Sequence, residues 1–518
     1  MNKVFKYILG IAAVGTLASC TSGFEGFNTN PYEPSALPVV SYFPGMIDVL
    51  ASPEENPCQR NNTFWAAFGG YVTAPHSWSR ANLYATYNID DAWNKWTVNW
   101  IMTEHIYPNW FNIQRETEGK GYFFQMAQLI RIYSMVMVTS LQGPMPYTQI
   151  ADGEFYVPYD DERTAWHAMF DDLDVAIAEI QSAALSGSTP LAEVDRVYNG
   201  DNTKWLKFAN TLKLRMAMRI SNIEPDYAKQ KAEEAVNAGV MTSTSDSAYD
   251  HLNGRYRNGY YQVSVGWDYE VKANATITSY MNGYNDPRRS KYFTENKTGS
   301  GETYMGVRSG ISGTQKATYV NYSGLIYEND ANAPMPIMYA SEAAFLRAEG
   351  ALKGWNMNGT PQELYEEGIR LSFAEWNAGS ADAYIANSTS TPGNYVDAGN
   401  GTYSHSNRST VTIAWNSSDS NDKKLEKIIT QKWIANYPLG LEGWCDFRRT
   451  GYPYIFPPHN NMSTWGCTNE RGQRRLRFSE DEYSRNGANV REAVTFLSNG
   501  VDGDNTDLWW ALRSGSKY

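Results

Sequence analysis

The sequence predicts a mostly α-helical protein in which tetratricopeptide-like helical hairpins form a scaffold under a loop-rich binding face. Three observations predict it. Apolar residues recur at three- and four-residue intervals in one segment after another, the period of an amphipathic helix. The connectors between these segments are short and carry glycine or proline stops. Three long stretches, residues 60–115, 250–330 and 380–420, are instead rich in Gly, Asn, Ser, Thr and Tyr and carry little helical period. Long irregular segments of that kind form working surfaces more often than scaffold.

The chain opens with Lys3 and Lys6, an apolar run from Tyr7 to Leu17, and Leu17-Ala18-Ser19-Cys20. A charged start, a short apolar core and small residues before a cut site make an export signal. The run is shorter than the roughly 20 residues that cross a bilayer. The ending resembles the lipobox of bacterial lipoproteins, in which the cysteine thiol receives lipid and becomes the new N-terminus. Residues 1–19 are therefore expected to be a signal peptide, Cys20 the lipidation site and 20–41 a tether. Residues 42–518 are expected to be one domain. Acyl chains contribute about 0.8 kcal/mol per buried CH₂, so several of them anchor a protein lastingly.

Residues 122–141 are apolar nearly all round and predict a buried helix, stopped by Gly143-Pro144-Met145-Pro146. A helical stripe follows in 160–180 (Trp166, Met169, Phe170, Leu173, Ile177, Ile180), with Asp160, Asp161 and Glu162 at its start favouring the helix dipole. Trp205, Phe208, Leu212, Met216 and Ile220 mark a helix over 203–220, and a shorter one over 226–238 ends at Gly239. Helices also read at 339–353, 361–377 and about 422–437. Paired helices with short links suggest stacked hairpins, although the match to a repeat consensus is poor. Trp93, Trp96 and Trp100 fall at helical spacing and are assigned to the core.

With a net charge of −12, the chain lacks the basic surface that nucleic acid or an acidic lipid patch requires. The 17 Trp and 36 Tyr are an unusual excess of rings with an apolar face and a polar edge, which suits sugars. Beyond Cys20, the cysteines are Cys58, Cys445 and Cys467. Either Cys445 and Cys467 form one disulfide or all three are buried thiols. No GxSxG elbow, HExxH helix, phosphate loop or dinucleotide fingerprint occurs, and the six histidines, His76 and His105 among them, lack metal-ligand spacing. Neither cofactor nor metal is expected. Asp502-Gly503-Asp504-Asn505-Thr506-Asp507 alternates oxygen ligands as a calcium loop does, but a plain turn explains it equally well.

Four further segments, in order with the lipobox, resemble the SusD/RagB family of Bacteroidetes surface glycan-binding lipoproteins. They are residues 200–221 (GDNTKWLKFANTLKLRMAMRIS), Asn285-Asp286-Pro287-Arg288, residues 334–355 (PMPIMYASEAAFLRAEGALKGW) and residues 431–453 with Glu442-Gly443-Trp444 and Asp446-Phe447-Arg448-Arg449. The charges in these segments read as architecture. Arg215 and Arg219 can reach acidic partners such as Glu342 and Glu349, and Arg448 and Arg449 can lock a loop by bidentate bonds. The resemblance implies a non-enzymatic outer-membrane protein that captures an oligosaccharide, or in some relatives a peptide. It also implies delivery of that ligand to a SusC-like TonB-dependent transporter.

The family carries no invariant ligand motif, so candidate contacts follow from chemistry: rings to stack on C–H faces and planar polar groups to read hydroxyls. Trp78, with Arg80 and Tyr84, lies in a polar loop without helical neighbours. Tyr261 and Trp267 lie in a second aromatic loop, bordered by Arg255 and Arg257, and Tyr304 and Arg308 in a glycine-rich third. The expected ligand is a neutral glycan. A peptide receptor of the same fold would use backbone bonds and pockets. A lipid-anchored glycoside hydrolase would need two converging carboxylates about 5–9.5 Å apart, and nothing local marks such a pair.

Overall fold

A computed structural model describes residues 37–74, 86–311 and 316–512. The first helices are α1 (Phe43–Ala51), α2 (residues 55–68, with a π turn at Gln59–Thr63) and α3 (Asp91–Asn99), which runs through a π segment (Trp100–Ile106) into α4 (Tyr107–Thr117). The expectation of an irregular 60–115 is corrected here. Its period is disguised because each π turn adds a residue and shifts the apolar face. Trp93 and Trp100 are buried as expected, but Trp96 is 36% exposed, with the Arg60 guanidinium 5.6 Å from its ring centre.

The scaffold proper is α5 (Gly121–Gln142), α6 (Glu162–Ser186), α7 (Asn202–Ile220) and α8 (Pro225–Ala238). α5 ends at Gly143, whose φ of 92° places it where side-chain-bearing residues are strained. Asp161 is the N-cap of α6, accepting from the Thr164 N–H at 3.0 Å, so Asp160 and Asp161 precede the helix. Asp201 caps α7 in the same way, and α8 begins on a proline and stops at Gly239. After α9 (Ala275–Gly283) come α10 (Ala340–Leu352), α11 (Pro361–Glu375, opened by a Thr360–Glu363 capping box), α12 (Asn421–Ala435) and α13 (Gly440–Thr450). α5 packs on α6, α6 on α7, α7 on α8 and α10, and α10 on both α11 and α12. This is a stack of helical hairpins. α14 (Glu480–Arg485) and α15 (Gly487–Phe496) follow.

α13 escaped the sequence reading because its glycines look like breakers. Gly440 instead permits backbone contact: a Cβ there would lie 2.1 Å from the Ala66 nitrogen of α2. A Cβ on Gly443 would press on the rings of Trp433 and Tyr71 at 3.0 Å.

Four scaffold helices are joined by buried ion pairs. Arg215 of α7 donates two bonds to Glu342 of α10, at 2.8 and 2.6 Å. Arg219 reaches Glu442 of α13 at 2.6 Å, and Lys432 of α12 reaches Asp446 at 2.9 Å. Arg449 bonds bidentately to Glu349, at 2.5 and 2.8 Å, and adds Asp446 at 2.9 Å. Four cations meet four anions, so each buried charge is matched, as burial requires. Burial works against the Asp446 charge, yet Lys432 and Arg449 hold its carboxyl at about 2. Arg448 turns instead to the C-terminal segment. It lies 3.6 Å from the Trp444 ring centre and donates to the Arg474 carbonyl at 2.9 Å.

Cys58, Cys445 and Cys467 are buried free thiols, which decides against the disulfide. Cys445 Sγ accepts from Arg219 at 2.8 Å, whereas Cys467 lies beside Gln473. The Asp502–Asp507 segment is a turn clamped by arginines. Arg475 holds Asp502, Arg477 holds Asp504 at 3.2 Å, and Arg471 and Arg474 hold Asp507.

Candidate functional site

The loop face grows from a short ribbon. β1 (Val72–Thr73) pairs antiparallel with β3 (Lys272–Ala273); among the described residues the other strand pair is β2 (Ala248–Asp250) with β4 (Met335–Met338). Residues 305–307 lie alongside β3, with the Val307 N–H donating to the Ala273 carbonyl at 2.8 Å and the Ala275 N–H to the Val307 carbonyl at 2.9 Å. Gly306 crosses so closely that a Cβ would sit 2.5 Å from Asn274 backbone atoms. Asn274 fastens the layers: it caps α9 and donates to Val72 O and Ser309 Oγ at 3.2 and 2.8 Å.

An aromatic cluster covers this ribbon: Tyr319, Tyr322, Tyr395, Tyr454 and Phe456, with Tyr403 against it. Arg308 ties its loops together. It is only 4% exposed and donates twice to the Pro457 carbonyl, at 2.7 and 2.9 Å, and once to the Tyr403 carbonyl at 3.4 Å. Burial lowers Arg308 to about 10, still cationic at neutral pH. His405 shares a 2.9 Å hydrogen bond with the Tyr454 hydroxyl. Burial, reinforced by Arg308 and Arg408, pushes His405 down to about 4, so its imidazole is neutral. Asp397 accepts from the hydroxyls of Tyr322 and Tyr395 at 3.1 and 2.6 Å and from two backbone N–H groups. Its carboxylate is committed to holding the loop.

Outward from the cluster, the exposed His459 meets Tyr403 edge-on at 4.8 Å. The 459–472 loop is pinned by bonds from His459 N to Ser309 O (2.8 Å) and from Met462 N to Thr86 O (2.9 Å). It presents Trp465, 38% exposed, with the Arg477 guanidinium 4.8 Å from its ring centre. Tyr87, stacked on Phe68 at 6.2 Å, has φ of 60°, an uncommon conformation for a residue with a side chain. The arrangement offers ring planes and neutral hydrogen-bonding groups.

The sequence candidates are distributed unevenly. Cys20, Trp78, Arg80 and Tyr84 lie outside the described residues. Tyr304 lines a neighbouring polar cavity of about 370 Å³ with Asn282, Arg289 and Asn394. Arg308 sits behind the face as a brace, because its guanidinium is spent on loop carbonyls. Trp267 is half-buried against the main core rather than in the aromatic cluster; Lys316 Nζ donates to its carbonyl at 3.1 Å and to Glu270 at 2.7 Å. Tyr261 is not brought to the cluster. It closes the short helix Gly259–Tyr261, whose Gly259 packs directly on Cys58.

Sequence reasoning missed Tyr403, His405, Tyr454, His459 and Trp465. The criterion that selected Trp78, a tryptophan among polar residues without helical neighbours, would have found Trp465 in NNMSTWGCTNE. Among the described residues no group of His, Cys, Asp and Glu is placed to hold a metal ion.

Residues 28–511 match the model of the SusD-like family, described as SusD and RagB outer membrane lipoproteins. A SusD-like protein from Bacteroides thetaiotaomicron is 52% identical, with a TM-score of 0.89 over 93% of this chain and 100% of that one. A SusD homologue from Bacteroides uniformis is 36% identical, with a TM-score of 0.86 over 92% and 99% of the two chains. A chitin-binding SusD homologue from Flavobacterium johnsoniae is 34% identical, with a TM-score of 0.87 over 92% and 99%. No curated protein matches the chain.

Proposed function

This chain belongs to the SusD-like family of outer membrane lipoproteins, and on that premise we propose that it captures a neutral oligosaccharide without cleaving it. The captured glycan passes to a SusC-like TonB-dependent transporter. The observation that carries the reading is the ring-lined face around Tyr403, His459 and Trp465. His405 is neutral there, and Arg308 and Asp397 are spent on the loops. The exposed Arg408 guanidinium lies 5.3 Å from the Tyr454 ring centre, and this mix of rings and donors suits hydroxyls. A chitin-binding homologue among the similar structures supports a glycan ligand. The net charge of −12 disfavours a polyanion.

Attachment is assigned to lipid on Cys20, with the protein at the cell surface. Among the described residues no helix is long and apolar enough to cross a membrane. Phe155 and Tyr156, 88% and 60% exposed between α5 and α6, are surface that a protein partner can cover. Trp78, Arg80 and Tyr84 complete the ligand contacts in this reading, with Trp267 and Tyr304 at its margins.

Calorimetric titration of the form lacking residues 1–20, against neutral polysaccharides and a peptide digest, tests the proposal. Saturable heat with one glycan and no release of reducing ends is expected. Trp465→Ala or Trp78→Ala should weaken that binding about thirtyfold, or about 2 kcal/mol, as loss of a central aromatic contact does. Binding of peptides alone moves the ligand to the peptide class, and new reducing ends overturn the non-catalytic assignment.

A further inference from the structure

A second cavity, of about 620 Å³, opens where the end of α11 meets the start of α10 and the turn Ile326–Asn329. Its size falls within the roughly 300–1,000 Å³ of small-ligand sites. The short helix Arg289–Tyr292 separates it from the polar cavity of Tyr304: Arg289 lines that one, and Ser290 and Lys291 line this one.

Tyr249, Tyr327, Tyr339 and Trp376 make its walls. Tyr249, half-buried, meets the buried Tyr339 edge-on at 5.9 Å. Trp376 packs on Tyr292 at 4.6 Å, and its indole Nε1 is buried without a hydrogen-bond partner. The mouth is polar and exposed, with His251, Lys291 and Asn377 on its lip.

Ring walls and hydrogen-bonding groups around the mouth match a body with an apolar face and a polar rim. We propose that this cavity is a separate subsite for a single pyranose unit, stacked against the half-buried Tyr249 and Trp376 with its hydroxyl rim toward His251, Lys291 and Asn377. The choice of a sugar rests on the glycan reading above. A glycan held at the loop face and a terminal unit held here would be gripped by two independent sites on one chain, which raises avidity when geometry permits both.

The probes are free glucose, galactose, mannose and N-acetylglucosamine, followed by calorimetry and saturation-transfer NMR on the form lacking residues 1–20. A ligand of this size binds with Kd on the order of 1 mM. Ala333→Trp fills the cavity from its wall, and Ser290→Trp obstructs the mouth from an exposed position that leaves the interior undisturbed. Both should weaken monosaccharide binding by about tenfold or more while polysaccharide capture at the loop face survives. A wild-type protein silent to all four sugars at about 50 mM overturns the subsite. So does a folded Ser290→Trp variant that binds them as wild type does. Should polysaccharide capture fail while a monosaccharide signal persists and Ser290→Trp removes it, the subsite stands and the loop-face reading falls.

Discussion

Replacing Arg215 by methionine tests whether the buried ion pairs hold the helical stack together. Arg215 is 4% exposed and Glu342 fully buried. The substitution removes both of its bonds to Glu342 and leaves that carboxylate with Lys432 alone, 3.8 Å away. Stranding one partner of a buried pair costs about 3–5 kcal/mol, and the remaining lysine places this case near 3 kcal/mol. Unfolding entropy of about 2.1 cal/mol/K per residue, over 518 residues, gives about 1 kcal/mol per degree, so Tm should fall by about 3 °C. Glu342→Leu alone strands the guanidinium, although Glu442 lies 3.8 Å from it, and should cost somewhat less. The double variant, with two apolar side chains, should return to within about 1 °C of wild type. Scanning calorimetry on all four proteins completes the cycle. An unchanged Tm in Arg215→Met, or losses that simply add in the double variant, would refute the reasoning.

Gly440→Ala forces a methyl into the Ala66 backbone and should destabilise by about 3 kcal/mol, read as a lowered urea midpoint with an unchanged slope. Burial pushes Glu162 up to about 8, so the folded chain keeps a proton that the unfolded chain releases above about pH 4.3. Stability therefore falls as pH rises through that window toward 8. Glu162→Gln should flatten the fall of Tm between about pH 5 and about pH 8; an identical slope in both proteins would contradict the assignment. Burial raises the Cys58 thiol to about 12 and the Cys467 thiol to about 11, and Cys445 is shifted the same way. In the form lacking residues 1–20, Ellman's reagent should react slowly with the native chain and release three equivalents in denaturant. One equivalent there would reveal a disulfide.

The scaffold was legible because its helices bury wide apolar stripes between strong stops: 122–141 became Gly121–Gln142, and 203–220 became Asn202–Ile220. Where backbone geometry departs from the regular period, legibility failed. The π turns at Gln59–Thr63 and Trp100–Ile106 hid α2 and the joined pair α3 and α4, and contact glycines hid α13. At the site, composition identified aromatic loops but not their partners. Arg308 was selected as a ligand contact from its glycine-rich surroundings, and only the fold shows the Pro457 carbonyl taking its guanidinium. His405 and Tyr454 lie 49 positions apart and carry no local signature of their meeting.

The arginine clamp near the C-terminus has a bearing on when the protein can finish folding. Arg475 donates two bonds to the Gln142 carbonyl, 333 positions earlier, and the Leu476 N–H bonds to Leu141 O at 2.7 Å. Trp510, fully buried, lies under the Arg219 guanidinium of α7 at 5.0 Å. The stretch from Arg475 to Trp510 thus seals the end of α5 and packs on α7 from far along the chain. Contacts that close so large a loop form late, because the chain must lose that entropy before any contact repays it. A polypeptide made N-terminus first therefore keeps the end of α5 uncovered until the stretch from Arg475 to Trp510 has been made.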